Sequence, residues 1–126
     1  MKLIQKWLAT TLWLWIVFIP RSSLAHHSHG NYDLTEYKIL EGTVTELHWI
    51  NPHTWIYLEV VDPDRTATIW TVEGGSISAI TTRGWTRESV QVGDTISVRC
   101  HPLRSGTTSC LFGYLKLEGG VEKEFD

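Results

Sequence analysis

The chain has 126 residues, 20% of them charged, and a net charge of −3 with neutral histidines, which suits a single domain around one core. Three of its 11 basic residues but none of its 14 acidic residues lie in residues 1–25, so the net charge without that segment is −6. So acidic a surface repels a phosphate backbone and attracts cations, which argues against a nucleic-acid partner.

Residues 1–25 have the pattern of a secretory signal peptide. Two lysines form a short basic region, residues 7–19 are apolar and uncharged, and small residues precede a cut after Ala25. The apolar run is short for a bilayer span, although Arg21 is unusual so close to a cut and keeps an uncleaved anchor as the alternative. We therefore expect export, into a periplasm or the medium, with no stable membrane span after cleavage.

The rest of the chain divides into an arm, a barrel and a tail. Residues 26–37, called the arm, are polar, rich in histidine and without periodicity, which predicts flexibility. Residues 38–118 hold the β-branched and aromatic runs that predict a small barrel. Residues 119–126, called the tail, are acidic around a Gly-Gly pair, and we expect them to fray.

The pattern between residues 38 and 118 predicts five strands and one short helix. The apolar residues of the first strand change parity near Thr45, which predicts a β-bulge, and Gly42 allows the strand to coil. Ser76 is suited to cap a helix that ends at Gly84. The predicted strands are 38–50, 53–61, 66–72, 95–101 and 109–117, and the predicted helix is 76–83.

This order predicts an all-β domain with one short helix, a five-stranded OB-like Greek-key barrel arranged β-β-β-α-β-β. The ligand face of an OB-fold is built by its second and third strands and by the loops that join strands one to two and four to five. A lipocalin-like barrel or a sandwich fragment is the alternative, but five strands are too few for either to close well.

Cys100 and Cys110 are the only cysteines. Export would put them where a disulfide persists, and the loop between them contains Gly106 and can form a hairpin. Cys110 has the opposite strand parity to the apolar residues Leu111, Leu115 and Leu117, so its side chain is expected on the other side of the fifth strand. A bridge therefore requires either a β-bulge or a strand packed on the side of the fifth strand that carries Phe112. From the sequence, bridged and free cysteines both remain open.

The arm contains a candidate metal site. A cut after Ala25 would expose an α-amine on His26, followed by His27 and His29. Amine and imidazole nitrogens are available as neutral donors near pH 7, and they suit copper, nickel or zinc, with copper bound most tightly. The alternative is a polar segment that merely suits a mature N-terminus.

His48 and His53 are the second pair of candidate ligands. They flank the first predicted inter-strand loop, where a tight Asn51-Pro52 turn can bring them together. The alternative is that His53 bonds to the turn while His48 faces solvent. Glu73, at the end of the third strand, is either a further ligand or an anion near the helix N-terminus.

Trp49, Trp55 and Tyr57 form a candidate ligand face. Aromatic side chains on an OB-fold can stack on a small molecule, a glycan or a protein partner, although bulky residues also fill small cores. No nucleophile elbow, H-E-x-x-H, phosphate-binding loop or dinucleotide motif occurs. The sequence therefore favours a metal-binding protein, or a binding or adaptor module, over an enzyme.

Four short motifs follow one another along the chain, and they occupy residues 25–28 (AHHS), 49–53 (WINPH), 73–76 (EGGS) and 83–87 (RGWTR). In this order they resemble a family of small exported bacterial proteins of uncharacterised function. The resemblance implies export and a small β-barrel and implies no activity; the cysteines are not part of the pattern. A looser likeness is to periplasmic OB-fold copper chaperones, but their Met-rich site is absent because Met1 is the only methionine.

Overall fold

The computed structural model describes residues 29–126. The predicted signal peptide and the candidate ligands His26 and His27 lie outside the described residues. No helix within residues 29–126 is long and apolar enough to cross a membrane. The strands are β1 (Lys38–His48), β2 (Trp55–Val61), β3 (Ala67–Glu73), β4 (Thr95–Pro102), β5 (Ser109–Leu117) and β6 (Lys123–Glu124), with one α-helix, α1 (Ile77–Thr82), and 3-10 turns at His29–Asn31 and Arg87–Ser89.

The strands form a closed barrel. Their order is β3-β2-β1-β4-β5-β6 with antiparallel neighbours, and β3 closes the barrel by pairing in parallel with β5. We call this closing pair, residues 71–73 beside residues 109–111, the seam. The predicted OB-like barrel with one short helix is confirmed, and the two-residue strand β6 is added to it.

A long, bent first strand lets β1 pair with both of its neighbours. Its first half pairs with β4 and its second half with β2, and the predicted bulge is present between Val44 and Glu46. A side chain at Gly42 would collide with the carbonyl oxygen of Glu59. Glycine therefore allows β2 to approach β1 where the strand bends.

Alternate strand residues point inward and fill the barrel. Ile80 of α1 and Trp85 join the same cluster, and Ser76 caps α1 by accepting a hydrogen bond from the backbone N–H of Ala79, as predicted. The strand residues of this cluster with 3% exposure or less are Leu40, Val44, Ile56, Leu58, Val72, Ile96, Val98, Cys100, Cys110, Phe112 and Leu115.

Cys100 and Cys110 form a disulfide beside the seam. Both are fully buried, and their Cα atoms are 5.6 Å apart. Tyr114 pairs with Arg99 and Phe112 with Cys100, so Gly113 is an extra residue that shifts the parity of β5. This bulge is what allows the bridge. Closing a loop of about ten residues stabilises the fold by about 3 kcal/mol.

The tail is not frayed, contrary to the expectation. Phe125 is 1% exposed and packs with its ring centroid 4.2 Å from that of Phe112 and 5.4 Å from that of Trp85. Its backbone N–H donates to the carbonyl of Gly113, and the indole of Trp85 donates to the carbonyl of Glu124 at 2.7 Å. One buried aromatic ring therefore holds this acidic segment on the barrel.

The arm is anchored to the barrel at Tyr32, which the expectation of a flexible segment did not include, while residues 29–31 and 34–37 are exposed. Tyr32 is 4% exposed and bridges Leu103 in the loop between β4 and β5. The backbone N–H of Asp33 donates to the carbonyl of Pro102 at 2.8 Å, and that of Arg104 donates to the carbonyl of Asn31 at 2.9 Å. These bonds fix the end of the arm to the barrel.

Replacing Phe125 by alanine tests the packed tail. We expect Phe125→Ala to lower the free energy of unfolding by about 3–5 kcal/mol, because it leaves a cavity beside Trp85. Val121→Ala is the matched control in the same segment, and it should have almost no effect because Val121 is 71% exposed. Urea denaturation measures both, and equal small effects would contradict the packing of the tail.

Candidate functional site

The loop between β1 and β2 is fixed to the start of α1. Asn51 Oδ1 accepts a hydrogen bond from the backbone N–H of Ile77 at 3.0 Å. Thr54 is buried, and its backbone pairs with the glycines after β3: its N–H donates to the carbonyl of Gly75, and its carbonyl accepts from the N–H of Gly74. His53 is therefore held between two anchored residues, next to the seam.

Glu73 is a buried carboxylate outside the barrel core. It pairs with Trp55 on one side and with Leu111 on the other, and it alternates with Val72, which faces inward. Its side chain therefore points away from the core, yet the residue is only 5% exposed. Tyr32 covers it and donates its hydroxyl hydrogen to Glu73 Oε2 at 2.6 Å.

His53 contacts the other oxygen of the same carboxylate. Its Nδ1 lies 3.0 Å from Glu73 Oε1, within ion-pair distance, while the two side chains are 30% and 7% exposed. The Nδ1 atom is buried and has no aligned hydrogen bond with any described residue. Tyr32, Glu73 and His53 thus form a continuous polar chain from the arm, across the seam, to the loop between β1 and β2.

Tyr32 is held in its protonated form. Burial raises the pKa of its phenol to about 12, the hydrogen bond to Glu73 acts in the same direction, and a side-chain hydrogen bond with Ser109 opposes them. The phenol is therefore a permanent donor to Glu73 near neutral pH.

Asp126 lies near His53 and His29. We call this part of the barrel, where the arm, the end of β3 and the loop between β1 and β2 meet, the corner. Burial raises the pKa of the Asp126 carboxyl, and the positive charges of Arg83, His29 and His53 act in the opposite direction. A side chain on Gly75 would overlap the Asp126 carboxylate, so glycine is needed for this approach. His29 of the arm and His53 of the loop are both close enough for their charges to act on Asp126.

The structure does not bring every candidate histidine to this corner. His48 contacts Glu46, and its ring meets the edge of Tyr57 with centroids 5.2 Å apart. No group of three or more histidine, cysteine, aspartate or glutamate side chains within residues 29–126 is arranged to hold a metal ion.

The three residues of the predicted aromatic face are all half-buried. Trp49 packs against the core cluster, which is the alternative that the sequence left open. Trp55 and Tyr57 alternate with the buried Ile56 and Leu58, so they lie on the outer side of β2. These two residues retain a surface that could stack on a ligand.

The sequence did not reveal the part played by Tyr32 or Asp126, and it named Glu73 only as a candidate. Ser76, not Glu73, caps α1, so Glu73 is free for the contact with His53. The aromatic character of Tyr32 in a polar arm was the available signal, but Tyr37 of the same arm is exposed, so the signal did not distinguish the two. Asp126 had no local signal.

The strand order and the closing pair of β3 with β5 define the protein as a small OB-like β-barrel. A profile for a family of unknown function, DUF6152, matches residues 15–112, and the chain belongs to that family. No curated protein matches the chain. The crystal structure of the mitochondrial single-stranded DNA-binding protein Rim1 from S. cerevisiae is similar, with a TM-score of 0.50 and 12% identity over 65% of this chain and 92% of that one. At that identity the likeness shows the fold alone.

Replacing Asp126 by asparagine should change how stability depends on pH. The folded chain binds the Asp126 proton more tightly than the unfolded chain, because burial raises the pKa above the ordinary 3.8. The protonated Asp126 carboxyl therefore contributes stability below its ordinary pKa, and this contribution is lost as the pH rises through its raised pKa. Asp126→Asn should therefore gain stability relative to the unaltered chain as the pH rises from below the ordinary pKa to neutrality, measured by urea denaturation with a chelator present.

Asp64→Asn provides a control of opposite sign. Hydrogen bonds from Thr66 lower the pKa of the Asp64 carboxyl, so its contribution is present above the ordinary pKa and is lost on acidification. Asp64→Asn should lose relative stability over the same rise in pH. If the free energy of unfolding of Asp126→Asn differed from that of the unaltered chain by the same amount at every pH, this would contradict the burial of the Asp126 carboxyl.

Proposed function

We propose that the protein is exported, is cleaved after Ala25, and binds a divalent transition metal, copper above all, through the histidines of its arm. His26 supplies an α-amine and an imidazole, and His27 and His29 supply further imidazoles. His53 is the ligand on the barrel side. Amine and imidazole nitrogens together suit Cu(II) more than the other common divalent ions.

One observation carries this proposal, the anchoring of the arm by Tyr32. Its hydroxyl bonds to Glu73, and Glu73 also contacts His53. The charges of His29 and His53 both act on Asp126, and His26 stands three positions before His29, a length of about 10 Å when extended. The described end of the arm is therefore anchored near His53, and we propose that His26 reaches the same site.

The charges of this corner favour a cation. The buried Glu73 faces the imidazole of His53, and the Asp126 carboxylate interacts with both His29 and His53. Carboxylates near imidazole ligands raise the basicity of those ligands and offset the charge of a bound metal.

Two further features support export. The disulfide between Cys100 and Cys110 is of a kind that persists in oxidising compartments. The segment before residue 26 has the charge and apolar pattern of a signal peptide.

The test is a Cu(II) titration of the full chain, exported and processed by a bacterial host and checked by intact mass. We expect a mature chain that begins at His26 and binds one Cu(II), with the affinity reduced about tenfold or more in His26→Ala and less in His27→Ala. His26→Ala keeps the α-amine but removes the imidazole that chelates the metal together with that amine. Isothermal titration against a competing chelator measures the affinity.

His101→Ala is the matched control. The His101 ring stacks on Tyr37 with centroids 4.2 Å apart, and its Nδ1 contacts the carbonyl of Glu36 at 2.7 Å, so its side chain is already engaged at the C-terminal end of the arm. Its loss should leave the copper affinity unchanged. A processed chain that begins at His26 and binds no Cu(II), or one that binds equally well without His26, would overturn the proposal.

The outer side of β2 supports a second candidate function, a binding or adaptor module for a small molecule, glycan or protein. Trp55 and Tyr57 lie on it, and His48 packs edge-on against Tyr57. A ligand stacked there should shift the tryptophan fluorescence of the metal-free chain, and Trp55→Phe should remove that response. If Cu(II) quenches fluorescence and a panel of mono- and disaccharides has no effect, this candidate is wrong for glycans.

A further inference from the structure

We infer that the outer side of β2 docks an arginine-bearing segment of a partner protein, whose guanidinium group stacks on the aromatic rings and pairs with the carboxylates of this surface. The surface, which we call the acidic aromatic face, consists of Glu46, Trp55, Tyr57 and Glu59. The inference rests on the second candidate function, the binding or adaptor module, and adds to it the chemistry of the partner.

The four side chains of the acidic aromatic face share one side of the sheet. Trp55, Tyr57 and Glu59 occupy alternate positions of β2, and Glu46 of β1 pairs directly with Tyr57. Both glutamates are exposed, and both aromatic residues are half-buried. A cation within about 6 Å of a ring centroid is attracted to the face of the ring. One guanidinium group can therefore contact a ring and a carboxylate of this face together.

The carboxylates of the acidic aromatic face are not neutralised by arginines of the same chain. Among residues 29–126, the arginine ion pairs are made with other acidic residues, and none of them reaches Glu46 or Glu59. Glu46 contacts the side chain of His48. The net charge of the chain without residues 1–25 is −6. Charge complementarity therefore favours a basic partner.

The same combination of groups already holds an arginine elsewhere on the barrel. The guanidinium carbon of Arg99 lies 3.9 Å from the ring centroid of Tyr114 and 4.8 Å from that of Tyr37. The two carboxylate oxygens of Glu122 accept hydrogen bonds from this guanidinium at 3.2 and 2.9 Å. The acidic aromatic face offers the same kinds of group, but none of the described lysines or arginines stacks on its rings.

The shape of the acidic aromatic face favours a protein segment over a small molecule. Small-molecule sites are concave. Two cavities of the described barrel lie beside β4 and the end of β5, and no residue of the face lines either of them. Val61 and Ile69, which are 58% and 47% exposed, lie on the same side of the sheet and can cover apolar atoms of a docked segment.

Arginine fits this surface better than lysine. Its planar guanidinium stacks on aromatic rings and pairs with carboxylates through two hydrogen bonds, whereas the ammonium of lysine is a compact and strongly hydrated charge. Tryptophan, tyrosine and arginine are also the residues that contribute most often to protein–protein binding.

A peptide titration of the exported, processed chain in the presence of a chelator tests the inference. The probe is the capped peptide Gly-Arg-Gly-Arg-Gly, and the matched probe carries citrulline, a neutral analogue of arginine, at both arginine positions. We expect the arginine peptide to shift the indole N–H resonance of Trp55 in nitrogen–proton correlation spectra and the citrulline peptide to leave it unchanged. Added salt should weaken the binding, because the carboxylates are exposed.

Two substitutions on the face and two controls assign the contacts. Trp55→Leu and Glu59→Gln should each weaken binding of the arginine peptide about two- to fivefold, because single exposed cation–π contacts and ion pairs are weak. The amide resonance of Tyr57 measures binding to Trp55→Leu. Tyr37→Leu and Glu88→Gln remove an exposed ring and an exposed carboxylate outside the face, and they should leave the affinity unchanged.

Glu59→Gln keeps the test decisive if Trp55→Leu does not fold, because Glu59 is exposed. Equal weakening by Glu59→Gln and Glu88→Gln would show a general effect of net charge and would overturn the inference. Spermidine that shifts the Trp55 resonance as strongly as the peptide would assign the face to small amines and would also overturn it. Self-association of the chain that Trp55→Leu abolishes would assign the face to a second copy, with the same consequence.

The remaining outcomes separate this inference from the two candidate functions. Copper binding by the arm involves none of the four residues, so its success or failure is measured independently. If neutral saccharides or the citrulline peptide shift the Trp55 resonance and the arginine peptide does not, the second candidate function stands and this inference is wrong. If none of these probes shifts it, both are wrong.

Discussion

The parallel pairing of β3 with β5 is the interaction on which the rest of this structure depends. It closes the barrel, and it sets Glu73 beside Leu111 and Val72 beside Cys110. Because neighbours in a strand point to opposite sides, the same pairing buries Val72 and Cys110 in the core while it leaves Glu73 on the outside. The arm then covers Glu73 with Tyr32. A buried carboxylate therefore lies next to the loop that carries His53.

Much of the barrel could be predicted because its signals are local. Alternation predicted all five main strands, the parity change near Thr45 predicted the bulge, and Ser76 marked the start of the helix. The bulge at Gly113 could be stated only as a condition for the disulfide. Its position depends on how β5 meets β4 and not on any residue pattern within β5.

The arm and the tail could not be predicted in the same way. Each is a polar segment held by one buried aromatic residue, Tyr32 in the arm and Phe125 in the tail. Composition describes the polar majority of such a segment and therefore predicts that it is flexible. The site had the same difficulty. His53 stood out by its place in the first loop, but its partner Glu73 and the cover from Tyr32 depend on contacts between residues far apart in the sequence.

The hydrogen bond between Tyr32 and Glu73 joins residues 41 positions apart, and it exists only when β3, β5 and the arm are all in place. Closing a loop of that length costs entropy that only the finished barrel can offset. Local opening of the seam would therefore break this bond, while the backbone bonds of the arm to Pro102 and Arg104 could persist. Amide hydrogen exchange in this corner would then report the folding state of the seam. The surroundings of His53 belong to the closed barrel, and a peptide with the histidines of the arm would not reproduce them.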